Sequence, residues 1–255
     1  MINKQLMMNN FNKAADDYLC YAQIQKDPAL KIYSLIENKL NSDLNILDLG
    51  SGPGTFSHFS NFLANSNFIL YDISLSMLKS TFNKNKFFCI NGDAELLPFK
   101  NNSFNLVISN LMMQWLNNKK KVFKEINKVI HLGSEFIFTS LISPSLWQLK
   151  NSWAEIDNNS HVINFITGNE YAQLCQDAGF KIIQQQEWSS TLFFKNCYEL
   201  FYHFKRTGTN IPRTNKSGLG GVNILNKLIK SYEKFRTTEG LPLTYSYVLI
   251  YGKKL

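Results

Sequence analysis

Three glycines at alternate positions, Gly50, Gly52 and Gly54, follow the acid Asp48 in the stretch ILDLGSGPGTF (46–56). An apolar run that breaks into alternating glycines reads as a buried parallel strand that turns sharply beneath a ligand and enters a helix. Gly50 permits the turn, Gly52 lets the backbone approach the ligand, and Gly54 sits where the helix packs on the strand. A second acid, Asp72 in YD (71–72), is placed to take the two hydroxyls of a ribose, and a third, Asp93 in Gly92-Asp93-Ala94, can accept from the exocyclic amine of adenine. Asp48 would oppose a pyrophosphate, so the turn suits a ligand that carries an ammonium group instead.

These acids need strands to hold them in line. Apolar runs predict strands over 44–49, 67–72, 86–90, 104–109 and 135–141, separated by helices over 55–65, 75–83 and 118–130, the last ending at Gly133. An amphipathic helix over 29–40 precedes them. Such alternation implies right-handed crossovers and a mostly parallel sheet covered on both faces, with ligands bound beyond the carboxyl ends of its strands. Asp48, Asp72, Asp93 and Asn110 then share one edge. Beyond 142 the pattern predicts a helix over 145–157, a capping box at 167–170 opening a helix to Ala178, and Gly179 after it. A strand over 180–188, helices over 197–206 and 221–235 around a loop at 208–220, and a closing strand over 244–251 complete the reading.

The set LDLGSGPG, YD, GDAELLPF (92–99) and FNLVISN (104–110) resembles the class I S-adenosylmethionine-dependent methyltransferases across 44–141. The resemblance implies a Rossmann-like α/β fold with a seven-stranded sheet and S-adenosyl-L-methionine as cofactor. It implies that backbone amides at 50–54 cradle the cofactor's amino acid part. It assigns Asp72 to the ribose, Met77 and Ala94 to the adenine surroundings and Asp93 to the adenine amine, and it adds Ser51, Ile73 and Asn110 to the cofactor-binding set.

The flanks FNKAADDYLCYAQIQ (11–25), SNLMMQW (109–115), TSLISPSLWQL (139–149) and LPLTYSYVLIYGKK (241–254) resemble the malonyl-acyl-carrier-protein O-methyltransferases of biotin synthesis. That likeness implies a single domain over 1–255, with lid helices in 1–43, a cofactor-binding core in 44–141 and an acceptor-binding cap within 142–255. It implies transfer of a methyl group to the free carboxylate of a malonyl thioester, carried by acyl carrier protein or coenzyme A. A carboxylate is already ionised at neutral pH, so no general base is expected. Catalysis would rest on in-line positioning and exclusion of water. Tyr18 is the expected lid aromatic and Lys205 or Arg206 the cation for the acceptor, with Trp115 and His161 in the acceptor pocket.

The rest of the chain restricts the alternatives. Hydrophobic content of 44% and aromatic content of 14% in 255 residues argue for a folded core, and no apolar run approaches the roughly 20 residues of a bilayer span. The N-terminus lacks an apolar export signal, so a cytoplasmic protein is expected. Cys20, Cys89, Cys175 and Cys197 form no CxxC pair, and His58, His131, His161 and His203 show no ligand spacing, so no metal is expected. The net charge of +8 includes the cluster Lys119, Lys120, Lys121, Lys124 and Lys128, and a second group at Lys227, Lys230, Lys234 and Arg236. Either could be a solvated helix face or meet an acidic carrier protein. No nucleic-acid module is present. Methylation of another small carboxylate or a quinone stays open, as does a likeness to the complex I assembly factor that hydroxylates an arginine.

Overall fold

The computed structural model describes residues 1–39, 43–56, 66–81, 87–209 and 221–255. The expected helix over 55–65, the end of that over 75–83, the start of the strand over 86–90, most of the 208–220 loop and His58 lie outside these residues. The described strands form a seven-stranded sheet in the order β3-β2-β1-β4-β5-β7-β6. Strands β1 (Asn45–Leu49), β2 (Asn67–Asp72), β3 (Phe88–Asn91), β4 (Phe104–Asn110) and β5 (Ile130–Ile142) run parallel. β7 (Leu241–Lys254) is antiparallel to both its neighbours, β5 and β6 (Phe180–Phe194).

Side chains of successive strand residues point to opposite faces, and in the central strands both faces are buried. Ile46, Leu106, Ile108, Ile137 and Leu249 pack with Ile32 and Ile36 of α3 (Gln23–Ile36). Leu47, Val107, Phe136, Phe138, Val248 and Ile250 pack on the other side, with Phe123 and Ile126 of α5 (Lys119–Val129) and Tyr171 of α7 (Gly168–Asp177). Burial of each such side chain contributes about 1.5–3 kcal/mol. The capping box opening α7 is present in full at Thr167 and Glu170.

Four elements differ from the sequence expectation. α5 ends at Val129 and β5 begins at once, so Gly133 (φ +75) sits inside a strand, beside a register shift against β4, and does not end a helix. α3 starts at Gln23 and carries Pro28 within it, buried against the core, whereas the expected start lay beyond that proline. β6 and β7 extend well past 188 and 251, because the exposed face of β6 is lined by Gln, Ser and Thr that hide its alternation.

A cap covers one end of the sheet. α6 (Trp147–Ala154), α8 (Cys197–Arg206) and α9 (Val222–Tyr232) bury Trp153, Leu200, Leu228 and Tyr232 against Leu241, Leu243, Tyr245 and Tyr247 of β7. At the carboxyl edge of the parallel strands lie α1 (Lys4–Ala14), α2 (Tyr18–Tyr21) and α4 (Leu75–Lys79). Among the described residues no helix is long and apolar enough to cross a membrane.

Candidate active site

β1 delivers its chain into the glycine turn at the sheet's carboxyl edge. Gly50 takes φ +72, and a Cβ there would lie 2.3 Å from Met112 Cγ; only glycine lets the segment after β4 close onto the turn. Gly52 takes φ +55, and a Cβ there would meet nothing within 4 Å, because the position faces open space. That space is a cleft of about 720 Å3, continuous with solvent.

Asp72 at the end of β2 locks the turn. Its Oδ2 accepts from the Gly52 amide at 2.8 Å and its Oδ1 from the Ser74 amide at 2.7 Å. Each oxygen keeps a further lone pair, enough for two vicinal hydroxyls. Burial pushes this carboxyl up to about 6 in spite of the two donors. Asp48 is 2% exposed, and its Oδ2 has no partner. Burial, with the charge of Asp72 added, raises it well above the usual carboxylate range. An unmatched acid in this place is suited to a cationic group from a ligand.

The turn's own amides are spent. Gly50 and Ser51 donate to the Tyr71 carbonyl at 2.7 and 3.2 Å, Gly52 to Asp72, and Gly54 to the Ser51 carbonyl at 2.9 Å, while Pro53 has no N–H. This corrects the expectation that amides at 50–54 cradle a ligand: the turn offers a close backbone approach and two acids, and its donors hold the turn itself.

The far wall centres on Asp93. Lys4 Nζ of α1 lies 2.7 Å from Asp93 Oδ2 and 2.9 Å from Glu95 Oε1, and the Glu95 amide donates to Asp93 Oδ1 at 3.0 Å. Burial would raise Asp93, but these partners outweigh it and hold the carboxyl below its usual range. α1 is fastened at two further points. Ile2 and Asn117 exchange two hydrogen bonds of 2.8 Å, and Asn12 Oδ1 accepts from the Ser74 hydroxyl at 2.7 Å and the Ser76 amide at 3.2 Å. Phe11 meets Trp115 edge-on at 5.4 Å between ring centres.

Tyr18 lines the same cleft beside Asp72. Its hydroxyl accepts from Gln25 Nε2 at 3.0 Å, and burial pushes the phenol up to about 12, with the nearby Asp72 charge adding to the shift. Asn110 ends β4, donating to the Gln25 carbonyl at 3.0 Å and accepting from Thr139 Oγ1 at 2.7 Å.

The structure therefore brings Tyr18, Gly50, Gly52, Asp72, Ile73 and Met77 to one cleft, together with Asp93, Ala94, Asn110 and Trp115. Asp48, Ser51 and Gly54 stand directly behind them. Three expected acceptor residues are elsewhere. His161 pairs with Asp157 at 2.8 Å, one turn earlier in the chain, and stacks on Trp153 at 3.6 Å. Arg206 is ion-paired with Asp17 and held over the rings of Tyr21 and Tyr202, so its fork braces the segment that carries Tyr18. Lys205 is exposed on α8 and lines no part of the cleft. Among the described lining residues the cation is Lys4, and Met7, Phe11, Tyr71 and Met112 also line the cleft without having been singled out. Met7 and Phe11 lie in the segment already read as a lid, and Tyr71 and Met112 in the quoted YD and SNLMMQW stretches. Among the described residues no three His, Cys, Asp or Glu side chains gather as a metal site.

The carboxyl edge of this mostly parallel sheet, which carries a glycine turn and a cleft, is the ligand-binding edge of an open α/β fold. The chain belongs to the methyltransferase-domain family, which it matches over residues 40–196. It is 28% identical over 250 residues to the malonyl-[acyl-carrier protein] O-methyltransferase of Hahella chejuensis, covering 96% of this chain and 88% of that protein. To the protein of the same name from Hamiltonella defensa it is 29% identical over 254 residues, covering 98% and 94%. In fold it is similar to the YcgJ protein of Bacillus subtilis, with a TM-score of 0.61 at 17% identity, covering 87% of this chain and 97% of that one.

Proposed function

We propose that this chain transfers a methyl group from S-adenosyl-L-methionine to the free carboxylate of a malonyl thioester. The observation that carries the acceptor is the likeness to malonyl-[acyl-carrier protein] O-methyltransferases over 96–98% of the chain. The cleft fits the donor: Asp72 keeps two acceptor positions for the ribose, Met77, Ile73 and Ala94 form an apolar bed for adenine beside Asp93, and the unmatched carboxyl of Asp48, buried behind the lining, adds negative charge for the ammonium. When bound, the sulfonium supplies an activated methyl group.

What this chain does is position and enclose. Lys4, Phe11 and Trp115 hold α1 across the cleft, which excludes water from a charged reaction centre. Tyr18 presents a phenol that stays protonated, able to donate to an acceptor oxygen. Among the described residues no histidine or cysteine lines the cleft, which suits an acceptor that arrives ionised.

The partner we infer is an acidic carrier protein, and α5 is its docking face. Lys120, Lys121 and Lys124 carry no ion pair among the described residues, and α5 starts just beyond the cleft residues Trp115 and Leu116. In and beside α9, by contrast, Lys234 is matched by Glu155 and Arg236 by Glu233. Reversing Lys120 and Lys124 to Glu is expected to raise KM for malonyl-carrier protein several-fold at low salt and leave S-adenosylmethionine affinity unchanged; equal KM values would remove α5 as the docking face. A cytoplasmic location accords with this reading.

A further inference from the structure

Gln25 closes the stretch FNKAADDYLCYAQIQ without an expected role, yet it sits at the junction of the site. It is 6% exposed at the start of α3. Its Nε2 donates to the Tyr18 hydroxyl at 3.0 Å, and its main-chain carbonyl is clamped by Asn110 Nδ2 at 3.0 Å. Its Oε1 is buried with no partner. An amide buried for packing alone is expected to satisfy both ends; this one keeps its donor on Tyr18 and leaves its acceptor unmatched.

The consequence lies in the direction of a proton. A phenol oxygen that accepts from an amide N–H has its own O–H free for a second partner, and among the described residues no acceptor takes that proton. We propose that Gln25 is a positioning residue that makes Tyr18 a dedicated hydrogen-bond donor toward the cleft, selecting an acceptor that presents an ionised oxygen over one that presents an N–H or O–H. This rests on the methyl-transfer reading above. Burial keeps the phenol protonated across the neutral range, so the donor is always armed. Asn110, itself held by Thr139, fixes the backbone from which Gln25 reaches.

Two variants separate the roles. In Gln25→Glu the carboxylate takes the Tyr18 proton and turns a phenolic lone pair toward the cleft; in Gln25→Met the shape is kept and no orientation is imposed. With malonyl-carrier protein as acceptor, Gln25→Glu is expected to raise acceptor KM at least tenfold and Gln25→Met about threefold, with the dissociation constant of S-adenosylmethionine unchanged. In a Tyr18→Phe background, Gln25→Glu should add no further loss. Losses that multiply across the two sites, or a parallel loss of S-adenosylmethionine affinity, would overturn the proposal. A readout that needs no acceptor keeps it distinct from the malonyl reading. In 13C-tyrosine-labelled protein, Gln25→Met should shift the Tyr18 titration upward, since a donor to the phenolate is lost; an unmoved titration would refute Gln25's role even if malonyl transfer is confirmed. If wild type methylates no malonyl thioester while the titration shifts as expected, only the acceptor assignment fails.

Discussion

Lys4 Nζ lies 2.7 Å from Asp93 Oδ2, joining the first helix of the chain to the cleft wall beyond β3. The pair is partly exposed, 28% and 39% at the two side chains, so it is worth about 0.2–1 kcal/mol and is weakened by salt. Lys4→Met is expected to speed release of S-adenosylmethionine by about two- to fivefold at low ionic strength, with the difference closing as salt is raised. Stopped-flow dissociation checks this; a release rate that does not change would assign α1 closure to its other contacts, Ile2–Asn117, Asn12–Ser74 and Phe11–Trp115.

Asp48 is held against its own stability. Its pKa is raised in the folded state, so the fold retains a proton that the unfolded chain has released, and stability falls as pH climbs above the ordinary carboxylate value. Asp48→Asn is expected to raise the melting temperature of the free protein at neutral pH, by about 2–4 °C for each kcal/mol recovered. The same change should weaken S-adenosylmethionine at least tenfold, about 1.4 kcal/mol. Calorimetry of both quantities tests the trade; a variant that is less stable and binds equally well would contradict it.

Asp72 sets a pH window. Its folded value of about 6 lies above the unfolded value near 3.9, so it binds a proton on folding between these limits. Its contribution to stability is therefore largest below pH 4 and is lost as pH rises through about 6. Ribose hydroxyls need the ionised form, so S-adenosylmethionine affinity should rise over the same interval and level off above it. Asp72→Asn should flatten that rise in a binding titration from pH 4.5 to 8, and an unaltered pH profile would place the controlling group elsewhere.

The two central glycines fail in different ways. Gly50→Ala forces a Cβ into Met112 at positive φ, and overpacking of this kind costs about 1–3 kcal/mol, so the loss should appear in thermal unfolding. Gly52→Ala meets no neighbour, but it holds an L residue at positive φ, which costs about 1–2 kcal/mol, and its methyl enters the open cleft, so ligand affinity should fall together with stability. Equal melting temperatures for wild type and Gly50→Ala would show that the Met112 contact yields.

The central parallel strands β1 and β4 were legible in the sequence because both their faces are buried, which leaves apolar runs such as Ile46–Leu47 and Leu106–Ile108. The three acids were legible because each lies at or just beyond the carboxyl end of a strand. β6 was only half visible, since an edge strand can spend its outer face on Gln and Ser. Lys4 and Gln25 fall within the expected lid segment, but their roles were not legible. Each acts through a contact that spans the fold or the chain's turn from α2 to α3, Lys4 to Asp93 and Gln25 to Tyr18, and neither residue type at its position carries a pattern. Arg206 shows the converse: a cation of the right type near the right segment, already committed to Asp17.

The measurement that tests the central claim most directly is transfer of labelled methyl from S-adenosylmethionine to malonyl-acyl-carrier protein, with acetyl-acyl-carrier protein and free malonate as controls. The account predicts label on the malonyl thioester alone, in a base-labile ester. Label on free malonate at a comparable rate, or none on the malonyl thioester despite tight S-adenosylmethionine binding, would contradict it.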